Sequence, residues 1–284
     1  MDHLLNADLH CHSVFSDGTL APEVLARRAQ ANGVGLWALT DHDEISGLDQ
    51  ALSSARAIGL PCLTGVEISV TFAGVTVHIV GLGFDHRHPP LIEGLRRTRA
   101  GREQRARDMG ADLERAGIRG AFDGAMKYVD NPDLISRTHF ARYIVEAGYC
   151  SDTHEVFRKY LAEGKPGYVP HRWASLGDAV GWINGAGGVA VIAHPARYAL
   201  GINGEYALFS EFKAHGGLGV EVVTSAHSVP EVARYADMCR EFGLLASRGS
   251  DFHCPQESRC DLGSLPDLPG SVTPIWAELR ARAD

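Results

Sequence analysis

Two histidines one residue apart, in Asp8-Leu9-His10-Cys11-His12, are the first side chains in the sequence able to share a metal ion. They end an apolar run that reads as a strand. Strand side chains alternate between faces, so His10 and His12 project to one side. The pair alone is a weak signal in a chain with 14 histidines. Asp17-Gly18 follows in a turn that can bring a carboxylate back over the same point. Thr40-Asp41-His42-Asp43 closes the next apolar run, where Asp41 or Asp43 would equally serve a turn or a helix cap. Glu67 follows the apolar run 60–66, and an acid there is costly unless paired or bound to metal. His78 lies inside the apolar run 75–80. A lone histidine in such a place is ordinarily a hydrogen-bonded core residue, and Glu67 on the preceding run is what singles it out. His194-Pro195 ends the run 189–193, and Asp251-Phe252-His253 supplies a second pair two apart. Metal-capable side chains thus close one strand after another, where α/β enzymes carry their catalytic groups.

The elements that must hold these residues alternate. Runs 4–9, 34–40, 189–193, 218–223 and 244–247 read as strands. Runs 22–32, 46–58, 205–215 and 230–242 read as helices, the first with Thr19 as candidate cap and Gly33 at its end. Runs 61–72 and 75–84 are extended and separated by Gly74, which predicts a hairpin. Repeated strand–helix units predict a parallel sheet, open or closed. Segment 90–161 is helical, polar and arginine-rich, with no strand pattern, and reads as an insert. The organisation expected is a core over 1–90 and 172–284 with a helical insert over 91–171, and a tail ending in a short helical stretch.

The 284 residues suit one large α/β domain or a domain carrying an insert. A net charge of -8 excludes coating of nucleic acid by bulk charge, so an anionic substrate needs a local cationic site. Six cysteines without a Cys-x-x-Cys pair support neither a zinc ribbon nor a thioredoxin motif, and read as reduced thiols in a cytoplasm. The start of the chain is too short and polar for a signal peptide, and no apolar run reaches membrane-spanning length, so a soluble cytoplasmic protein is expected.

Asp-x-His-x-His, Thr-Asp-His, a glutamate after the third strand, a later His-Pro and a terminal Asp-x-His together resemble the PHP (polymerase and histidinol phosphatase) family, over about residues 1–90 and 175–260. The resemblance implies a distorted (β/α)7 TIM-like barrel holding three divalent metals, related to the amidohydrolases. Carried over by motif, the ligands are His10, His12, Asp17, His42, Glu67, His78, His194, Asp251 and His253. His10, His12, Glu67 and Asp251 would surround one ion. Glu67 would bridge to a second, held by His78 and His194, and Asp17, His42 and His253 would hold the third. Asp17 stands where some relatives have histidine. The family favours Mn²⁺, and the mixed histidine–carboxylate set also suits Fe²⁺ or Zn²⁺. Three such cations, less three carboxylates and a bridging hydroxide as nucleophile, leave about +2, which suits a phosphate monoester dianion.

Arg96, Arg97, Arg99, Arg102, Arg105 and Arg107 crowd the start of the insert. Most read as a solvated face offset by Glu93 and Glu103; one or two facing the metals would make a second phosphate site. Ser136-Arg137-Thr138-His139 opens a helix, with Ser136 as cap or anion contact. Lys165, in Gly164-Lys165-Pro166-Gly167-Tyr168-Val169-Pro170-His171, fits a linker or a phosphate contact. These two motifs resemble the PHP subfamily of 3′,5′-nucleoside bisphosphate phosphatases, which includes 5′→3′ exonucleases of short RNA. That resemblance implies hydrolysis of a 3′-phosphate, as in pAp, with the 5′-phosphate gripped by Arg102, Arg105, Ser136, Arg137 or Lys165. Glu221, at a strand end, reads as an orienting group. The alternatives are exonucleolytic cleavage of short 5′-phosphorylated RNA, phosphatase action on another small monoester, a non-catalytic nucleic-acid module, and amide or lactone hydrolysis. No obligate protein partner and no membrane are implied.

Overall fold

The structure, a computed structural model, describes residues 4–279; the first three residues of the N-terminal reading and the last five of the tail lie outside it. Seven strands, β1 (Ala7–Asp8), β2 (Leu36–Leu39), β3 (Cys62–Phe72), β4 (Val75–Leu82), β5 (Val189–Ile192), β6 (Gly219–Thr224) and β7 (Leu245–Gly249), lie side by side in chain order. β1, β2 and β3 run parallel, β4 is antiparallel to both β3 and β5, and β5, β6 and β7 run parallel again. β7 returns to the start of the chain: Leu9 N–H donates to Arg248 O at 3.0 Å and Asp251 N–H to His10 O at 2.8 Å. The result is a nearly closed, distorted TIM-like barrel.

Two buried ionisable side chains fasten that seam. Asp8 accepts the N–H groups of Ser250 (2.9 Å) and Gly263 (2.8 Å). Arg248 donates from Nε to Pro266 O (2.8 Å), from Nη1 to Asn6 Oδ1 (2.7 Å) and Ala7 O, and from Nη2 to Leu265 O. A buried guanidinium is tolerable only when its donors are so occupied. Asp8, the first residue of the N-terminal motif, is thereby a structural bolt. β1 is shorter than the expected strand 4–9 because the backbone beyond Asp8 splits its hydrogen bonds between both neighbours: Cys11 O accepts from Thr40 N–H (2.9 Å), and His12 N–H donates to Phe252 O (2.8 Å).

Eleven α-helices, with two 3₁₀ turns (Pro132–Leu134 and Pro195–Arg197) and a π turn (Phe157–Leu161), complete the described chain: α1 (Pro22–Ala31), α2 (Leu48–Ala57), α3 (Pro89–Arg99), α4 (Arg102–Arg115), α5 (Ala121–Met126), α6 (Arg137–Glu146), α7 (Thr153–Val156), α8 (Leu176–Gly185), α9 (Gly201–Ala214), α10 (Val229–Glu241) and α11 (Trp276–Leu279). The outer helices lay apolar stripes on the barrel. In α10 the stripe is Tyr235, Ala236, Met238 and Cys239, and Ser228 with Glu231 forms a capping box at its start. Thr19 does not cap α1. Ala21 occupies that position without a side-chain bond, and Pro22 at the first turn has no N–H to satisfy; Thr19 Oγ1 lies 3.5 Å from His253 O instead.

The expected hairpin forms β3 and β4, turned by Ala73 (φ 48) and Gly74 (φ 81). Its register pairs Glu67 with Val80, Ser69 with His78 and Thr71 with Thr76, so these residues share one face. No strand is present between Leu82 and Val189 among the described residues. α3 buries Leu91 and Leu95 in the barrel core. Met109, Leu113, Ile118, Phe140, Ile144 and Leu161 make a separate core within α4 to the turn following α7. That second core starts at Ala106, so α3 packs as a barrel helix. None of the six cysteines is joined in a disulfide, and no helix among the described residues is long and apolar enough to cross a membrane.

Candidate active site

The nine expected ligand residues lie together at the carboxyl rim of the barrel. Glu67 is at their centre. Its Oε1 is 2.8 Å from His78 Nδ1 and 2.9 Å from His194 Nε2. Its Oε2 is 3.4 Å from the Nε2 atoms of both His10 and His12, and 2.8 Å from His42 Nδ1. Asp251 Oδ1 is 3.2 Å from His12 Nε2 and 3.5 Å from His10 Nε2. Asp17 Oδ1 is 3.4 Å from His253 Nε2 and 3.8 Å from His42 Nε2. Four sets have donor atoms within 4.8 Å of one another: His12, Asp17, His42 and His253; His10, Glu67 and His194; His10, His12 and Asp251; His42, Glu67 and His78.

The backbone is bent to achieve this. His194 (φ 23), Asp251 (φ 54) and Asp43 (φ 51) are three of the four non-glycine residues with positive φ among the described residues, and all lie at the rim. Gly18 lets the turn after Asp17 lie on the His12 backbone, since a Cβ there would meet His12 O at 2.2 Å. Asp41 ties the turn from the other side, accepting Ser13 N–H (2.7 Å), Ser13 O–H (2.6 Å) and Ser16 O–H (2.5 Å). Glu221 orients two of the candidates: Oε1 is 2.7 Å from His10 Nδ1, and Oε2 accepts His194 N–H at 2.6 Å.

This donor set fits divalent cations. His12 Nδ1, Asp17 Oδ1, His42 Nδ1, Glu67 Oε2 and His194 Nδ1 are buried without a hydrogen-bond partner, although His42 Nδ1 and Glu67 Oε2 lie close together but misaligned; Asp251 Oδ2 meets the Arg197 guanidinium. Buried polar atoms left so are costly, and an ion is the economical way to satisfy them. Protonation agrees for most of the set. Burial opposes ionisation of Glu67, but His78, His42 and His10 hold it well below the usual carboxylate range. Burial likewise opposes Asp17 and Asp251, which are held well below that range by His42 and His253 and by Arg197, His253 and His10 respectively. Burial, with His253 and His42 beside it, lowers His12 to about 3; burial and Arg197 lower His194 to about 4. Against burial, Glu67 and Asp17 raise His42 to about 9, Glu221, Glu67 and Asp251 raise His10, and Asp17 and Asp251 raise His253, so cations must displace protons from these three.

The helical segment reaches the same rim. Ser136 O–H donates to Asp17 Oδ2 at 3.0 Å while its oxygen accepts Thr138 N–H, so this hydroxyl is a cap and a brace for Asp17. Arg102 pairs with Asp43, the neighbour of His42, and reaches Ser69 Oγ at 3.3 Å. Arg105 donates from Nε to Val169 O (2.9 Å), and Arg137 lies 3.4 Å from Leu161 O. Arg96 and Arg97 are engaged by Glu93 and Arg107 by Glu103, the solvated face expected for most of the run. Lys165 is exposed. Sequence reasoning missed Arg197, whose guanidinium is 2.5 Å from Asp251 Oδ2, and the Arg142–Glu257 pair (2.9 Å). A basic residue three positions after His194 was the only signal for the former.

Comparison with known proteins gives the same picture. The family described as PHP domain matches residues 8–163. The chain is 54% identical over 279 residues to a 3′,5′-nucleoside bisphosphate phosphatase of Chromobacterium violaceum, covering 98% of each. It is 43% identical over 269 residues to a 5′-3′ exoribonuclease of Haemophilus influenzae, covering 95% of this chain and 97% of that one. The solved structure of an amidohydrolase from Chromobacterium violaceum, with bound sulfate and no metal, aligns with a TM-score of 0.96 at 54% identity, covering 98% of this chain and 97% of that chain. Similarity on this scale spans barrel, rim and helical segment alike: the chain belongs to the PHP family.

Proposed function

We infer that this protein is a metal-dependent phosphoesterase that hydrolyses the 3′-phosphate of nucleoside 3′,5′-bisphosphates, giving a 5′-monophosphate and inorganic phosphate. The observation that carries this reading is the presence of two anion-seeking centres at one rim. One is the histidine–carboxylate cluster with its unsatisfied buried atoms. The other is the group Arg102, Arg105 and Arg137, for which Asp43 is the single carboxylate partner among the described residues. Burial and mutual repulsion lower Arg105 to about 10, with Arg137 and Arg102 as the repelling charges; burial and Arg102 lower Arg137 as well. Arg102 Nε is buried without a hydrogen-bond partner. Cations held this close need an anion, and a second phosphate supplies one.

His10, His12, Asp17, His42, Glu67, His78, His194, Asp251 and His253 would hold the cations. Three ions, with Mn²⁺ first and Fe²⁺ or Zn²⁺ next, suit the mixed set. When bound they supply Lewis acidity and bring the ionisation of water near neutral pH. The chain's own residues position the substrate. Arg102, Arg105 and Arg137 would grip the 5′-phosphate, which sets the 3′-phosphate at the cluster. Ser136 N–H donates to His139 Nδ1 at 3.0 Å, which leaves the imidazole proton on Nε2. Burial lowers His139 to about 4, so it stays neutral near pH 7. In the reaction the P–O3′ bond breaks, water adds oxygen to phosphorus, and the 3′ oxygen takes a proton. The helical segment acts as the substrate-binding insert to a barrel core. Six cysteines without a disulfide among them favour a reducing cytoplasm.

The Haemophilus relative favours a second reading, removal of nucleotides from the 5′ end of short RNA, which breaks the same kind of P–O3′ bond. The test is a panel of nucleoside 3′,5′-bisphosphate, 3′- and 5′-monophosphates, phosphoserine, histidinol phosphate and short 5′-phosphorylated RNA, with Mn²⁺ and with chelator. Metal-dependent phosphate release from the bisphosphate, and none from the 5′-monophosphate, is expected. Nucleotide release from RNA without turnover of the bisphosphate would favour the second reading; inactivity on both would refute the two together.

A further inference from the structure

Two like-charged guanidinium groups three residues apart on α4 lie close enough to repel each other, and that repulsion must be offset for either to keep a fixed place. Asp43 engages Arg102 alone. Arg105 has one backbone acceptor, Val169 O, and no carboxylate partner among the described residues. What both share is the indole of Trp173. The Arg102 guanidinium carbon lies 4.6 Å from its ring centroid and that of Arg105 lies 5.3 Å away. An aromatic face carries negative electrostatic potential, so one ring attracts two cations that repel each other.

Trp173 is itself locked. Its N–H donates to Thr71 Oγ1 at 2.8 Å, its Nε1–H to Thr76 Oγ1 at 3.2 Å, and its neighbour Ala174 bridges to Val70. Thr71 and Thr76 are a cross-strand pair on the face of the hairpin that also carries Glu67 and His78. The indole is therefore mounted on the strands that carry two of the candidate metal ligands. The His171 ring packs edge-on at 4.2 Å and narrows the remaining freedom. Beyond Trp173 lies a groove of about 570 Å³ lined by Arg97, Arg172 and Trp182, and neither Arg102 nor Arg105 lines it. The ring stands between the arginine pair and that groove.

We propose that Trp173 is the specificity-determining platform of the 5′-phosphate site: its indole holds Arg102 and Arg105 at a fixed distance from the metal cluster and closes that end of the cleft. It acts through the arginines and is a positioning residue. The proposal rests on the two-phosphate reading above.

The experiment measures kcat and KM of the Mn²⁺-loaded protein on a nucleoside 3′,5′-bisphosphate and on the matching 3′-monophosphate, for the wild type, Trp173→Ala, Trp173→Leu and Trp173→Phe. Melting temperature and metal content are recorded for each. Trp173→Ala and Trp173→Leu are expected to raise KM for the bisphosphate about tenfold, the size of two weak cation–ring contacts, with kcat held within about twofold. The 3′-monophosphate should be unaffected, and Trp173→Phe should restore most of the loss because it keeps an aromatic face. Leucine fills space without a π face, so equal behaviour of the Leu and Phe variants overturns the proposal, even if the Ala variant does not fold. Equal losses on both substrates, or none, overturn it as well. A wild type that does not distinguish the two substrates removes the two-phosphate reading and this inference with it. A wild type that does, beside an unchanged Trp173→Leu, removes this inference alone.

Discussion

Replacing Glu221 by glutamine tests whether the rim is built to present ligands rather than merely to bury histidines. The carboxylate serves two donors, His10 Nδ1–H at 2.7 Å and His194 N–H at 2.6 Å, and is almost fully buried. Glutamine keeps the volume but has one acceptor oxygen. If that oxygen accepts from His194, the amide NH₂ faces His10 Nδ1 and forces it to become the acceptor. The imidazole proton then moves to Nε2, the nitrogen 3.4 Å from Glu67, and His10 can no longer ligate through it. In the other orientation the His194 N–H is buried against a donor, at a residue already in a positive-φ conformation. Either way one charge-assisted hydrogen bond is lost, about 1.5–3 kcal/mol. That corresponds to metal binding weaker by roughly ten- to a hundredfold, with the fold retained. Calorimetric titration of Mn²⁺ into chelator-stripped protein measures it, and imidazole ¹⁵N shifts report the His10 tautomer. Wild-type affinity in a folded Glu221→Gln protein, with the His10 proton still on Nδ1, would refute the reasoning.

Three further outcomes follow from the same geometry. His194→Ala or Asp251→Ala should reduce phosphate release to background while circular dichroism stays native; near-normal turnover in either would exclude these residues as ligands. Arg137→Ala should raise KM about tenfold or more for substrates bearing a 5′-phosphate, the loss of one charged hydrogen bond, and leave 3′-monophosphates unchanged. His139 should make the fold sensitive to mild acid. Its folded value of about 4 lies below the unfolded value near 6.5, so the unfolded chain takes up the proton first as pH falls. Its contribution is complete above pH 6.5 and declines by up to about 3 kcal/mol towards pH 4. Urea unfolding of wild type and His139→Gln across that range should show their difference narrowing as pH falls; parallel curves would count against it.

The candidate ligand cluster was legible because most of its members follow the ends of apolar runs, and parallel strands in a barrel deliver their ends to one rim whatever the details of packing. Gly74 marked the hairpin that brings His78 beside Glu67. Pairing within one helix was legible too: Glu93 with Arg96 and Arg97, and Glu103 with Arg107, are neighbours at three and four residues. Pairing across the fold was not. Arg102 meets Asp43 at a separation of 59 residues and Arg142 meets Glu257 at 115, and nothing in either local sequence selects the partner. Lys165 shows the converse, a basic residue in a constrained loop that ends exposed. Trp173 carried no local signal, because its role depends on which cations the folded helix brings to its face.

These long-range contacts also explain how a barrel can carry so large a helical segment without losing the precision its chemistry needs. The segment has a core of its own, separate from the apolar core of the barrel. What it must share with the barrel is position, and that is fixed by polar contacts placed beside the candidate ligands. Ser136 braces Asp17 itself, Arg102 grips the residue after His42, Arg142 grips Glu257 in the loop after His253, and Asn131 Nδ2 lies 3.4 Å from Glu44 Oε2. A shift of the segment would pull on the same turns that aim the candidate metal-binding side chains. The spacing between the two proposed anion-seeking centres is therefore set by the turns that form one of them, and under the two-phosphate reading a substrate whose phosphates match that spacing would engage both without further rearrangement.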